Sequence, residues 1–152
     1  MFVRELNTEE CRLALAQAGF GRLACARDNQ PYVVPIHFAV DEAYVYAFSL
    51  AGQKLDWMRK NPRVCLEIDD VHEASDWTSV VVFGRYEELP DTPEYSSARR
   101  RAGDLLQGRA MWWEPGTVAV AHRDEAASLA PIYYRISIEH MTGHRSAPSQ
   151  GP

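Results

Sequence analysis

Ser49, Gln53 and Lys54 are the residues whose types and spacing most readily do chemistry in this chain. The run Phe48-Ser49-Leu50-Ala51-Gly52-Gln53-Lys54 passes from an alternating aromatic strand, through a glycine break, into a helical stretch. A helix N-terminus carries unpaired backbone N–H groups and a partial positive charge, so it attracts anions. A hydroxyl just before that helix and a lysine in its first turn add a hydrogen bond and a full charge. Together they would hold a phosphate monoester. The same residues also allow a structural role, with Ser49 capping the helix and Lys54 in solvent, and neither G-x-x-x-x-G-K-[ST] nor G-x-G-x-x-G is present.

Other features invite a chemical reading, and each has a quieter alternative. His37 alternates opposite Tyr32, Val34, Ile36 and Phe38, so it points away from the face those residues share. Such a histidine either hydrogen-bonds its own scaffold or looks into a pocket. Trp112 and Trp113 are adjacent, and neighbours in an extended chain point to opposite sides. At least one ring therefore covers a nearby surface, either the end of its own domain or a substrate pocket or interface. His140 and His144 have helical spacing but follow a strand and flank Gly143; the acidic residues Glu67, Asp69, Asp70, Glu73 and Asp76 around His72 lack a calcium-loop pattern. No metal site is expected, and the acidic stretch reads as a solvated loop. No Ser-His-Asp or Cys-His arrangement emerges from spacing.

Positioning these groups requires a mostly β scaffold. Asn7 with Glu10 reads as a capping box and Leu6 with Cys11 as a hydrophobic staple, so a helix should start near Thr8. Cys11, Leu13, Leu15, Ala16 and Ala18 would form its apolar side, and Gly19 would end it. From Gly21 the hydrophobic period becomes two. Strands are expected over 21–27, from Pro31 to Val40, and from Tyr44 to Phe48, with turns at Asp28-Asn29-Gln30 and Asp41-Glu42. Pro35 inside the second strand demands an edge or a bulge. A short helix follows over 53–60, with Leu55 and Met58 on one side and Pro62 as its stop. Strands over 63–69 and 77–89 come next, with Gly84 marking a bulge or close backbone approach, then a helix over 91–107 whose Arg99-Arg100-Arg101 is mostly its solvated face. Strands over 117–121 and 132–139 complete about six, arranged as an antiparallel Greek-key barrel with helical caps. One domain is expected over residues 1–145, with a disordered Ser/Pro/Gly-rich tail over 146–152.

The composition narrows the function classes. The chain has 152 residues and a formal net charge of −5, which suits one core and disfavours a polyanion-binding surface. Nucleic acid is not an expected partner. Three cysteines without a C-x-x-C pair fit a reducing cytoplasm, and no apolar run approaches the ~20 residues of a membrane span.

The ordered set Gly21-Arg22-Leu23-Ala24, Pro31-Tyr32-Val33-Val34-Pro35-Ile36-His37-Phe38, Tyr44 to Ser49, Gly52-Gln53-Lys54-Leu55-Asp56, Asn61-Pro62-Arg63-Val64-Cys65 and Trp77 to Gly84 resembles the FMN-binding split-barrel superfamily. That superfamily includes pyridoxamine-phosphate oxidase, and the pattern is most similar to its flavin-nucleotide-binding, nitroimidazole-resistance-like branch. The resemblance spans roughly residues 5 to 145 and implies a six-stranded split barrel, homodimeric, with FMN at the subunit interface. It assigns Ser49, Gln53 and Lys54 to the phosphate, with Arg63 as a helper. Val34, Pro35, Ile36, Ala47 and Phe48 would lie along the ring and ribityl chain, and Trp77, Thr78 and Ser79 at the ring's polar edge. Trp112 and Trp113 would reach a substrate pocket or the interface, and His37 would be a catalytic candidate above the ring. The implied activity is NAD(P)H-dependent two-electron reduction of a small flat acceptor such as a nitroaromatic. A non-catalytic flavin or haem carrier on the same fold is the alternative. Pyridoxamine-phosphate oxidase activity itself is disfavoured, because no arginine–histidine element stands between Pro131 and Arg145 to bind the substrate's phosphate.

Overall fold

The period-two pattern is realised as eight strands and three α-helices among the described residues, 1–107 and 130–148 of this computed structural model. Strand β1 (Phe2–Glu5) leads into helix α1 (Thr8–Ala18). The capping box forms in both directions: Glu10 N–H donates to Asn7 Oδ1 and Asn7 N–H to Glu10 Oε2, each at 2.9 Å. Gly19 then ends the helix at φ 64°, the left-handed conformation that favours glycine. The buried face is Cys11 and Leu15 with Ala14 beside them, while Leu13 is 55% exposed and Ala16 and Ala18 face solvent. Residues four apart share a helix face and residues two apart do not, so Leu13 cannot follow Cys11 inward.

Strands β2 (Phe20–Arg27) and β3 (Gln30–His37) form a hairpin around Asp28 and Asn29, at φ 48° and 64°, the pair of left-handed residues that matches strand twist. β4 (Ala39–Val40) follows after Phe38 alone, and β5 (Tyr44–Ser49) turns back where Asp41 Oδ1 accepts from the N–H groups of Ala43 and Tyr44. Helix α2 (Gln53–Lys60) buries Leu55 and Met58 as its spacing predicts. Strands β6 (Arg63–Glu73) and β7 (Asp76–Glu88) form a long hairpin. A single-turn 3₁₀ segment (Pro93–Tyr95) precedes α3 (Ser96–Leu106), and β8 (Ile132–Ala147) is last. The expected strand over 117–121 lies outside the described residues.

Three expectations are corrected by the structure. Among the described residues the strands number eight rather than six, because β1 and the two-residue β4 add to the set. The acidic stretch is strand, not loop: Ile68 points into the core while Asp69 alternates outward along an exposed hairpin. β8 runs on through His140, His144 and Ser146, because β7 pairs along it as far as Trp77↔Ser146 and β1 joins on the other side from Glu5↔His144 to Phe2↔Ala147. Ser146 is fully buried, so the ordered domain extends past residue 145. The arginine triplet is mostly solvated, as expected: Arg100 and Arg101 are exposed, while Arg99 donates to Leu89 O (2.7 Å) and lies over the Tyr133 ring.

All strand pairs are antiparallel in the order β3-β2-β6-β7-β8-β5-β4, with β1 on β8. The two ends of that order, β3 and β4, are consecutive in the chain, so the ribbon curls back on itself as a barrel. Its main core gathers Leu23, Ile36, Val45, Leu66, Val82 and Ile136, with α2 closing one end. A second cluster of Tyr46, Leu89, Ala102 and Leu106 docks α3 on the other face of β5. Gly84 fulfils both readings of its position. The β7–β8 register shifts beside it, and a Cβ there would sit 2.6 Å from Ile136 Cγ2 and closer still to Ser137 O.

Candidate functional site

The closure between β3 and β5 is incomplete, and the gap is lined by main chain. Phe38 N–H donates to Gly19 O (3.1 Å), which makes His37–Phe20 a non-hydrogen-bonded pair. Stepping by two places Pro35, Val33 and Pro31 in the same class, with their backbone groups turned away from β2. The prolines sit only where no ladder N–H is needed, as an edge strand requires. On the other side, Ile138 N–H donates to Ala43 O (3.0 Å), which makes Tyr44, Tyr46 and Phe48 the non-hydrogen-bonded residues of β5 against β8. β4 covers β5 only at Val45 and Tyr46. Among the described residues no strand takes up the outward backbone of Phe48.

α2 begins at the foot of this gap. Its N-cap Gly52 makes no side-chain cap hydrogen bond, and a Cβ on Gly52 would meet nothing within 4 Å. The start of α2 therefore lacks a side-chain cap and has open space beside Gly52, in contrast to α1, which Asn7 caps. Asp56 in the first turn pairs with Arg59 at 3.5 Å, so its charge is partly offset there. Ser49 is buried and its Oγ donates to Leu50 O (3.1 Å). Gln53 is exposed; Lys54 is half-buried, with its ammonium close enough to the Cys25 thiol to oppose the rise that burial gives that thiol's pKa. A helix end, a lysine and a buried hydroxyl thus converge on one corner, and they fit a phosphate monoester.

The remaining site residues divide. Ile36 and Ala47 are fully buried in the main core, Val34 packs against that core, and Phe48 stacks on Tyr133 at 5.7 Å on the opposite face. Their side chains do not form one flat slot. Of Val34, Pro35, Ile36, Ala47 and Phe48, only Pro35 and Phe48 turn their backbone to the gap; Val33 and His37 do so as well, which the alternation of the sequence could have shown once β3 was known to be an edge. His37 itself is buried, with Nδ1 3.3 Å from Gly19 O and its ring edge-on to Phe20 at 5.7 Å.

Trp77, Thr78 and Ser79 stand at the other end of the barrel. Arg59 of α2 grips Glu88 at 2.5 Å near the end of β7, whereas Ser79 lies nine residues earlier, about 30 Å along the strand. Trp77 N–H donates to Ser146 Oγ (3.2 Å) and Arg145 Nε to Thr78 Oγ1 (3.1 Å). Thr78 and Arg145 line a cavity of about 640 Å³ together with Phe20, Asp69, Asp70 and one face of α1. Sequence reasoning missed Arg145, because only the β7–β8 register brings it there. Arg63 is separated from Gln53 by the length of α2, about 12 Å. It is exposed and lies directly across from Arg85. Trp112 and Trp113 lie outside the described residues. His140 and His144 share a strand face about 13 Å apart, too far to hold one metal ion.

A closed antiparallel ribbon, split between an edge strand and a helix-capped corner, defines the split-barrel class to which flavin-binding proteins belong. Within it the chain belongs to the pyridoxamine 5'-phosphate oxidase family, whose model matches residues 7–145. A Rhizobium meliloti (strain 1021) protein of unassigned function is 41% identical over 150 residues, covering 99% of each chain. The crystal structure of an FAD-binding protein from Mesorhizobium loti is 40% identical, with a TM-score of 0.80 over 97% of this chain and 99% of that one. An FAD-binding protein of Mycobacterium smegmatis, 23% identical, shares the fold with a TM-score of 0.68 over 93% of this chain and 98% of that one. Among the described residues, no helix is long and apolar enough to cross a membrane.

Proposed function

We propose that the chain is a cytoplasmic, homodimeric flavin-binding oxidoreductase. It holds FMN, or the FMN half of a larger flavin, at the α2 corner and passes two electrons from NAD(P)H to a small flat acceptor, a nitroaromatic among the candidates. The carrying observation is the start of α2 without a side-chain cap, beside Lys54 and open to a gap edged by main chain. Family membership and the FAD binding of the Mesorhizobium loti protein support it. When bound, a flavin supplies the hydride chemistry. The chain's part is to grip the phosphate through Lys54 and the α2 amides, with Ser49 at its back, and to offer the outward backbone of Pro35 and Phe48 to a polar ring edge.

Two features support a second copy. Val33, Ala24, Cys65, Phe83 and His140 form one register row across β3, β2, β6, β7 and β8 on the outer face of the sheet. Val33 is 59% and Phe83 42% exposed, an apolar stripe suited to a twofold partner. Moreover, Trp77, Thr78 and Ser79 stand at the end of β7 away from α2, and a partner's copies of them are the ones we place at the Lys54 corner.

The absorbance spectrum of the purified protein tests the proposal. A flavin spectrum, or its appearance on adding FMN, is expected; a colourless protein that takes up no FMN refutes it, and a Soret band points to haem. A non-catalytic carrier is the second reading, favoured by His37 being buried against Gly19 and Phe20. Rapid bleaching by NADPH or NADH, with turnover on an added acceptor, is expected of the enzyme; a flavin silent to both establishes the carrier.

A further inference from the structure

Helix α1 and the far end of the β6–β7 hairpin border the cavity of about 640 Å³, a volume suited to a small molecule. Its α1 wall is Leu13, Ala14, Gln17 and Ala18, one helix stripe beside the core-facing Cys11 and Leu15. Leu13, 55% exposed, thus overlooks the cavity instead of the core, and Ile68 adds apolar surface from the barrel side. Opposite that wall, Asp70, Thr78 and Arg145 form one register row across β6, β7 and β8, with side chains on the same face. Thr78 serves there as the anchor of Arg145, on the face of β7 opposite Trp77 and Ser79.

Two of the three carboxylates lining the cavity are already matched. Glu10 takes both terminal nitrogens of Arg4, at 2.7 and 3.0 Å, and Asp69 takes Arg22 at 2.5 Å. Asp70 has only His72, at 3.3 Å, with both side chains largely exposed, a contact that contributes little. Arg145 fixes its Nε on Thr78 Oγ1 (3.1 Å), and among the described residues its two Nη groups have no hydrogen-bond partner and no carboxylate within 4.0 Å. A missing counter-charge alone would mean little; this fork is anchored, lines a cavity and shares it with an acid. Two strand spacings separate the acid from the base, about 9.6 Å between backbones. Hydrogen bonds of about 2.9 Å at each end leave room for an ammonium and a carboxylate carried on one carbon atom. We infer that the cavity binds a small zwitterion with an apolar substituent, the chemistry of a free apolar α-amino acid. Asp70 takes the ammonium, the Arg145 fork takes the carboxylate, and Leu13, Ala14 and Ala18 receive the side chain. Nothing in this site requires the flavin.

Titration calorimetry of the full chain with L-leucine, L-phenylalanine, their deamino and decarboxy analogues, and glycine tests the site. Wild type should bind leucine or phenylalanine saturably, and each analogue, which lacks the ammonium, the carboxylate or the apolar side chain, about tenfold more weakly. Arg145→Gln should weaken the amino acid about tenfold and leave the decarboxy analogue within about twofold of wild type; Asp70→Asn should weaken it similarly and leave the deamino analogue within about twofold. Leu13→Ser, at an exposed position, should fold as wild type does and weaken the amino acid about threefold while keeping its preference over both one-charge analogues. Absence of saturable binding of either amino acid up to about 10 mM overturns the site, as does binding that neither Arg145→Gln nor Asp70→Asn changes. Displacement of the amino acid by FMN makes the cavity part of the flavin corner and overturns it as a separate site. Failure to take up any flavin overturns the flavin reading alone and leaves the zwitterion site standing.

Discussion

Removing the Lys54 charge should chiefly cost affinity for the flavin phosphate. Lys54 is half-buried in the first turn of α2, where the helix end already favours an anion. At ~4 Å and an effective dielectric of ~20, an ammonium and each unit of phosphate charge attract by about 4 kcal/mol. Desolvation and side-chain ordering offset much of this, leaving ~1.5–3 kcal/mol for a charge-assisted hydrogen bond. A loss of about 2 kcal/mol raises Kd about 30-fold. Lys54→Met keeps most of the aliphatic stem and isolates the charge, and Lys54→Ala removes both. Flavin fluorescence titration reads the effect, with riboflavin, which lacks the phosphate, as the control. Both variants should lose FMN affinity, keep wild-type riboflavin affinity and still melt cooperatively. Equal losses for FMN and riboflavin would refute a phosphate role, and an FMN Kd within twofold of wild type would remove Lys54 from the site.

Gly84→Ala places a methyl group against the Ser137 carbonyl, which cannot rotate away, so destabilisation should reach the upper end of overpacking, about 3 kcal/mol or a Tm loss of about 6–12 °C. Gly52→Ala, at an extended position in open space, should change stability by less than about 0.5 kcal/mol; thermal melts of the pair check both. The Glu10 carboxyl is held down to about 2 from the usual 4.5, chiefly by the hydrogen bond from Arg4 and then by the Asn7 backbone N–H. Because its folded value is depressed, its stabilisation is full above about pH 4.5 and is lost as pH falls through about 2. The Tm gap between wild type and Glu10→Gln should therefore be constant near neutrality and close over that acid window; a gap that persists below pH 2 contradicts the ion pair. If Thr78 serves the partner's corner, mixing Lys54→Ala with Thr78→Val protomers should restore one tight FMN site per mixed dimer, whereas a site built within one chain restores none.

Elements whose causes are local were legible in the sequence. Asn7 and Glu10 fix the start of α1 whatever packs on it, and α2 is bounded by Gly52 and Pro62. The same holds for the two-residue turn at Asp28-Asn29 and the tight passage at Gly84. What escaped depends on partners distant in the chain. β1 exists because β8 is long enough to pair with it, and β8 is long because β7 pairs with it past Glu139 as far as Trp77↔Ser146. The acidic stretch seemed too polar for a strand, yet only one face of an exposed hairpin needs apolar residues, and Val64, Leu66 and Ile68 supply it. Leu13 looked like part of an apolar face and is exposed, because its neighbours on the core side are Cys11, Ala14 and Leu15.

The site divides along the same line, for a further reason. Its phosphate corner is made of side chains and a helix start, which sequence patterns announce; the gap between β3 and β5 is made of main chain. Which residues offer that main chain follows from hydrogen-bond parity, not from residue type. Pro35 and Phe48 qualify, and Ile36 and Ala47 do not, although all four lie in the same two sequence windows. A single slip of register in β3 would exchange Pro35 for Ile36 at the gap and carry Ile36 out of the core. The two prolines oppose that slip, because it would put a residue without an N–H into the ladder with β2. Pro31 and Pro35 thus hold the register that keeps the backbone of Val33, Pro35 and His37, rather than that of Val34 and Ile36, along one side of the gap.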